Sequence, residues 1–232
     1  KLRGYNYKKK LIINAYNSGT LGRLILGLII NTLNPIKLIG DKSLSKRDFK
    51  RISDPLSKFG ANFKLRNNNK LPLFIHGTKT LKPINFREKR GSAQCKSAVI
   101  FAGMRTNGVT TIRAKKSRNH TEVLCKHLNL PINVKSKKNH DLITIKKVNK
   151  IKSLNYNIPS DISSSSFFII LTALSKNSEL KIRNININPS RIGVVKILKK
   201  MGVKIYFEKK KIYKGEEIAD IRVKNTTKLK AI

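Results

Sequence analysis

Small hydroxyl residues and one amide stand directly ahead of an apolar run at Gly91-Ser92-Ala93-Gln94-Cys95-Lys96-Ser97-Ala98, which leads into Ala98–Ala102. That order reads as a helix N-terminus facing an anionic ligand, where free backbone N–H groups and the positive end of the helix dipole meet side-chain donors. The same design stands earlier at Asn17-Ser18-Gly19-Thr20 before Leu24–Ile30, and later at Ser163-Ser164-Ser165-Ser166 before Phe167–Leu174. Ser18 to Ser92 is 74 residues and Ser92 to Ser163 is 71, so the chain repeats with a period in the low seventies. That is longer than the usual solenoid periods and implies three copies of a compact multi-element unit.

Three arginines obey the same period. Arg47, Arg118 and Arg191 are 71 and 73 residues apart, each at or just before the start of a helical pattern. A guanidinium beside free backbone N–H groups holds a carboxylate or phosphate well. The competing reading is that each Arg caps a neighbouring element or pairs with one of the few carboxylates, and both readings stand at this stage.

The elements that would position these residues follow from the hydrophobic pattern. In the first copy Leu11–Ile13 reads as a strand, Leu24–Ile30 as a buried helix ended by Asn31–Pro35, and Ile36–Ile39 as a strand. Phe49, Ile52, Leu56 and Phe59 then recur at helical spacing, with Pro55 expected to kink or split the helix and Gly60 to stop it. The second copy gives strand Leu71–Ile75, helix Ser92–Met104, strand Thr110–Ile112 and helix Thr121–Leu128, whose Asn119 and Glu122 resemble a capping box. The third gives helix Phe167–Leu174, strand Leu180–Ile182, helix Val194–Met201 and strand Val203–Phe207. Each unit reads βαβαββ, an α/β (α+β) class with helices amphipathic or buried against a sheet.

Composition narrows the partners. Fifty-one Lys and Arg against 12 Asp and Glu give a net charge of +39, which would attract a phosphate backbone. Lys, Asn and Ile are over-used together, however, as AT-rich codons would produce, and the aromatics (6%, no Trp) do not interleave with the lysines as base-stacking platforms would. The balance favours small anionic substrates over nucleic acid. No stretch reaches the roughly 20 apolar residues of a membrane span. Cys95 and Cys125 show no pairing pattern, which suits a reducing compartment, and each reads as a small core residue. His76, His120, His127 and His140 form no ligand cluster with carboxylates, so no metal is expected.

Taken together the motifs are similar to those of the 5-enolpyruvylshikimate-3-phosphate synthase family. The residues that carry the resemblance are Asn17-Ser18-Gly19-Thr20 with Arg23, Gly40 through Arg47, Ser92-Ala93-Gln94 with Lys96-Ser97-Ala98, Ser117 through Glu122, and Asn188-Pro189-Ser190-Arg191 with Gly193. They occur in order from residue 4 to the end. The resemblance implies two domains of three βαβαββ units each, with residues 1–159 part of the first and 160–232 the start of the second. It implies transfer of the enolpyruvyl group of phosphoenolpyruvate to the 5-hydroxyl of shikimate 3-phosphate, in aromatic amino-acid biosynthesis. No cofactor is needed, and the complete enzyme would be a cytoplasmic monomer.

Carried over by position, Ser92, Ala93 (through its backbone), Gln94 and Arg118 resemble contacts to shikimate 3-phosphate. Gly19, Arg47 and Gln94 resemble contacts to phosphoenolpyruvate. Glycine at 19 lets the backbone approach a ligand, and the resemblance implies sensitivity to glyphosate. Several positions depart from the pattern: Asp48 stands where Pro is usual and could pair with Arg47, while Asn119, Ser160 and Ile192 replace Asp, Gly and Thr. The family's catalytic Lys lies in a Gly-Asp-Lys-Ser motif upstream of anything present. Gly40-Asp41-Lys42-Ser43 spells the same letters in another copy, so Lys42 is a decoy. The family's proton-transferring Asp lies just beyond a stretch like Leu229-Lys230. The sequence is therefore expected to be an internal fragment, inactive alone, with no catalytic residue assigned. Two rivals remain: the enolpyruvyl transferase acting on UDP-N-acetylglucosamine, and an RNA-binding or RNA-processing protein built on a related repeat.

Overall fold

Alternation along the strands and caps on the helices set the first copy. In the computed structural model, which describes residues 11–226 and 228–232, β1 (Leu11–Asn14), α1 (Gly19–Leu28) and β2 (Ile36–Ile39) form a parallel crossover. A 3₁₀ turn (Leu44–Lys46) and α2 (Lys50–Ser57) lead to β3 (Asn62–Arg66) and β4 (Lys70–His76). β4 pairs antiparallel with both β2 and β3, giving the order β1-β2-β4-β3. Its alternate residues Leu71, Leu73 and Ile75 are fully buried, the period of a strand with one covered face.

The second copy repeats this plan. It comprises β5 (Asn85–Glu88), α3 (Ala93–Gly103), β6 (Val109–Lys115), α4 (His120–His127), β7 (Ile132–Ser136) and β8 (His140–Lys146), in the sheet order β5-β6-β8-β7. The third comprises α5 (Ile162–Leu174), β9 (Glu179–Asn186), α6 (Gly193–Lys200), β10 (Lys204–Tyr213) and β11 (Glu216–Lys224), ordered β10-β11-β9. Its opening strand is reduced to one parallel bridge from Ser160 to Ile185. The βαβαββ unit read from the sequence is therefore present twice in full and a third time with its opening strand reduced to that bridge. By chain contacts the molecule divides into two units: residues up to Ser117 with Leu130–Ile151, and Arg118–Asn129 with Lys152–Ile232. In the second unit Ile162, Ile169, Ile185, Val195, Ile205 and Ile221 build the core.

Local details differ from the sequence reading in four places. α1 starts at Gly19 rather than Leu24, because Ser18 Oγ accepts the Leu21 amide and caps it there. Pro55 lies inside α2 and neither splits it nor ends it. Asn119 precedes α4 but makes no capping bond, since its amide oxygen accepts instead from Asn188 Nδ2 at 2.9 Å. α5 is capped by Asp161, whose carboxylate accepts the Ser164 amide, so the serine run lies within the helix; the same helix leaves Phe167, Phe168, Leu171 and Leu174 exposed.

Candidate functional site

Two helix starts in the first unit are brought side by side. Ser92 Oγ accepts the Cys95 amide at 3.3 Å and begins α3 at Ala93, as Ser18 begins α1 at Gly19. Glu88 sets the turn before α3 by accepting the amides of Arg90 and Gly91. The helices touch closely: a Cβ on Gly27 would lie 2.2 Å from the Ala98 carbonyl oxygen.

Gln94 joins the two starts. Its Oε1 accepts from Arg23 Nη1 at 2.5 Å, and its Nε2 donates to Thr20 Oγ1 at 2.9 Å. Both ends of the amide are thus committed to α1, and its orientation is set. Arg23 is 5% exposed, lies over the Phe49 ring at 5.4 Å and donates weakly to the Asp48 carbonyl at 3.4 Å. Burial, with Arg51 and Arg47 adding repulsion, lowers its pKa. Among the described residues the buried Nε atoms of Arg23 and of Arg51 have no hydrogen-bond partner.

Arg47 lies against the first turn of α1. A Cβ on Gly19 would stand 3.1 Å from Arg47 Nη1 and 3.4 Å from Arg23 Nη1, so glycine at this position leaves room for both guanidinium groups. Asp48 does not pair with Arg47. Its Oδ1 accepts the Lys50 amide at 2.8 Å, favouring the start of α2, and its Oδ2 stands 3.8 Å from Arg90. Arg47 is exposed and shares a shallow depression with Asp41, Lys42, Ser43 and Lys46. Asn17 donates to Asp41, and Asp41 accepts the Leu44 amide, which ties this segment to the turn before α1.

The other two repeat positions differ. Arg191 donates to Asp161 at 2.7 Å and to Ser163 Oγ at 2.6 Å, so in the third copy the arginine serves an internal ion pair. Ser165 donates to the carbonyl of the cap residue Asp161, and Ser166 to the Ser163 carbonyl within α5. Arg118 is exposed in the second unit, two residues ahead of α4. Among the described residues neither Arg47 nor Arg118 forms an ion pair. No group of three or more His, Cys, Asp or Glu gathers as a metal site among them, and no helix is long and apolar enough to cross a membrane.

The sequence assigns no individual contact to Arg23 or Arg51, and reads Thr20 only as part of the Asn17–Thr20 turn. One signal for Arg23 was available: it follows Gly19 by four residues, on the stripe of α1 that buries Gly19, Gly22, Leu26 and Gly27. An arginine on a buried, glycine-rich stripe near a helix start has no packing reason to be there. Chemically, three guanidinium groups beside two helix N-termini, with donors left unmet, suit a phosphate or a carboxylate.

A family model described as EPSP synthase (3-phosphoshikimate 1-carboxyvinyltransferase) matches residues 2–232. The chain belongs to the EPSP synthase family. A curated relative from Caldicellulosiruptor bescii, 3-phosphoshikimate 1-carboxyvinyltransferase, is 40% identical over 215 residues, covering 91% of this chain and 49% of its own length. The EPSP synthase structure from Acinetobacter baumannii superimposes with a TM-score of 0.81 at 34% identity, covering 97% of this chain and 50% of that one. The enolpyruvyl transferase NikO from Streptomyces tendae matches at 14% identity and a TM-score of 0.58 over 80% of this chain and 44% of its own, which shows the fold alone. The chain thus spans about half the length of the curated EPSP synthase relatives it matches.

Proposed function

We propose that the protein carrying this chain transfers the enolpyruvyl group of phosphoenolpyruvate to the 5-hydroxyl of shikimate 3-phosphate and releases inorganic phosphate. Membership of the EPSP synthase family supports this, and the observation that carries it to residues is the Gln94 amide fixed between Arg23 and Thr20. In this reading Ser92, the Ala93 backbone, Gln94 and Arg118 hold shikimate 3-phosphate. Gly19, Arg47 and Gln94 hold phosphoenolpyruvate. The enol carbon gains a proton, the 5-hydroxyl oxygen bonds to the adjacent carbon as it loses its own, and the carbon–oxygen bond to phosphate then breaks as the new methyl group gives up a proton, which restores the double bond of the enolpyruvyl group. Fixed cations and amides around both anions would stabilise the charge that shifts during these steps without reorganising. No residue present is assigned the proton transfers, and Lys42 is not the catalytic lysine in this reading.

Residues 1–159 are taken as part of the first domain and 160–232 as the start of the second, supported by the gap between the end of β8 at Lys146 and the first bridge of the third copy at Ser160. The working form is taken as a cytoplasmic monomer that needs no cofactor. A UDP-N-acetylglucosamine transferase would use a mobile thiol. Cys95 and Cys125 are both buried in helices, and burial, with Glu122 adding to it, pushes the Cys125 thiol up to about 12.

The test is to express the natural reading frame that carries this chain and follow phosphate release from phosphoenolpyruvate. Release that requires shikimate 3-phosphate is expected. Release driven by UDP-N-acetylglucosamine, or tight salt-dependent RNA binding without either substrate, would sink the reading.

A further inference from the structure

The third sheet breaks register on both sides of its central strand. Between Glu208↔Asp220 and Lys211↔Ile218, β10 inserts one extra residue against β11; between Ala219↔Ile185 and Ile221↔Ile182, β9 does the same from the other side. Each bulge carries one non-glycine residue in the left-handed region, Lys209 at φ 49° and Asn184 at φ 54°. The corresponding ladders of the second sheet, β6 with β8 and β7 with β8, run without a shift, and in the first sheet only β3 shifts against β4 while β2 does not. The double bulge is therefore not a requirement of the βαβαββ unit. A left-handed lysine carries backbone strain, and bulges commonly re-aim side chains at sites.

Here they shape a dent of about 430 Å³ lined by Lys181, Arg183, Asn184, Lys209, Lys211 and Asp220. Asp220 is already committed, because its Oδ1 accepts the Asn184 amide at 3.0 Å and its Oδ2 faces Lys181 at 3.5 Å. Lys181 is committed too, at 2.7 Å from Glu208. Arg183, Lys209 and Lys211 form no ion pair among the described residues, although Lys209 lies close enough to add to the field at Asp220. Three cations without an ion pair among the described residues thus line one dent from both flanking strands. Codon bias towards lysine accounts for the number of cations in the chain but not for the backbone strain that gathers them.

We propose that this dent is an oligophosphate site, in which Arg183 on one flanking strand and Lys209 and Lys211 on the other grip successive phosphates across β11. The flanking strands lie two strand spacings apart, about 10 Å. Across that span a row of two or three phosphates engages cations from both flanks at once with less side-chain convergence than a single phosphate requires. The site takes either inorganic polyphosphate or the phosphate tail of a nucleotide. It lies wholly in the second unit and does not depend on the transferase reading.

The test titrates the chain with inorganic tripolyphosphate at near-physiological salt and follows backbone amide resonances. Saturable one-to-one binding is expected, with the largest shifts at Asn184 and Lys209. Arg183→Gln with Lys211→Gln should weaken it by about tenfold or more. Lys137→Gln with Lys138→Gln, the same charge change in an exposed turn of the other unit, should leave it unchanged. ATP binding no tighter than tripolyphosphate assigns the site to phosphate alone, and tighter binding assigns it to a nucleotide tail. Equal weakening by both variant pairs, non-saturating shifts spread over the lysine-rich surface, or orthophosphate binding as tightly as tripolyphosphate would each overturn the proposal.

Discussion

The Cys95 thiol stands 3.5 Å from the Arg51 carbonyl oxygen, the acceptor that Pro55 four residues later leaves without an amide. Proline inside a helix removes one i→i−4 bond, and a side chain from α3 takes its place in α2. This gives Cys95 a task that is neither nucleophilic nor simply space-filling. Cys95→Ala should cost roughly 0.5–1.5 kcal/mol, read by urea unfolding. In a Pro55→Ala background the restored amide serves Arg51, so the same change should cost less. Strict additivity in that double-mutant cycle would reject the coupling.

Burial raises the Cys95 pKa above the ordinary thiol range. Modification of the folded chain by a thiol reagent at pH 8 should therefore run far slower than after unfolding in urea. Equal rates would show that the thiol is open to solvent.

Gln94→Ala removes an acceptor for Arg23 and a donor to Thr20 together. In the whole enzyme it should lower kcat/KM by about 100-fold, the scale of one lost electrostatic contact in a water-poor site. Ser165→Ala, whose hydroxyl donates only to the Asp161 carbonyl, should change kcat/KM less than about threefold by the same comparison. Comparable losses would undo the division of labour between α3 and α5.

Those two residues also show how far the sequence could be read. The helix start at Ser92 was legible because a cap is a local device, written within three residues; at Ser18 the same motif was visible but the helix itself was placed five residues late, at Leu24. The third was misplaced: Asp161 outcompetes the serines that follow it, and hydroxyls inside a helix turn back to its own carbonyls. The apparent capping box at Asn119 failed because Asn188, 69 residues away, takes its oxygen. The repeat gave the topology, since every copy shares one hydrophobic pattern. The Arg23–Gln94 bond, the Arg191–Asp161 pair and the thiol beneath Pro55 were not legible, because each depends on how copies or strands meet.

Gly19→Ala puts a methyl group 3.1 Å from Arg47 Nη1. The guanidinium must shift by a few tenths of an ångström. The variant should fold normally, raise KM for phosphoenolpyruvate by about tenfold and reduce glyphosate inhibition, by the same displacement of one ion contact. Unchanged KM with unchanged inhibition would place Arg47 outside the binding of either anion.

Glu216 is buried and accepts from His120 Nδ1 at 2.7 Å and from Asn186 and Asn188 at 3.1 Å each. Burial alone would raise its pKa, but the three donors outweigh it and hold the carboxyl below its usual range. The unfolded chain then binds more protons than the folded one, so this contribution is complete above about pH 4.3 and lost as pH falls through the lowered folded value. Urea unfolding between pH 3 and 6 should show that loss, and Glu216→Gln should remove its share of the slope. An identical slope in the variant would clear Glu216.

Gly27→Ala should destabilise the first unit by about 1–3 kcal/mol or more, because the methyl group meets a backbone oxygen rather than a movable side chain. A melting temperature within about 1 °C of the parent would show that α1 and α3 can separate at no cost.

That contact also sets the first copy apart from the second. With Ser18 matched to Ser92, 74 residues on, Gly27 corresponds to Phe101 (27 + 74) and Ala98 to Leu24 (98 − 74). The copy that offers no side chain at the crossing faces a copy whose equivalent position holds a benzyl group. Two second copies placed side by side would drive that ring into a carbonyl. The two copies fit only as unlike partners, and neither can stand in for the other.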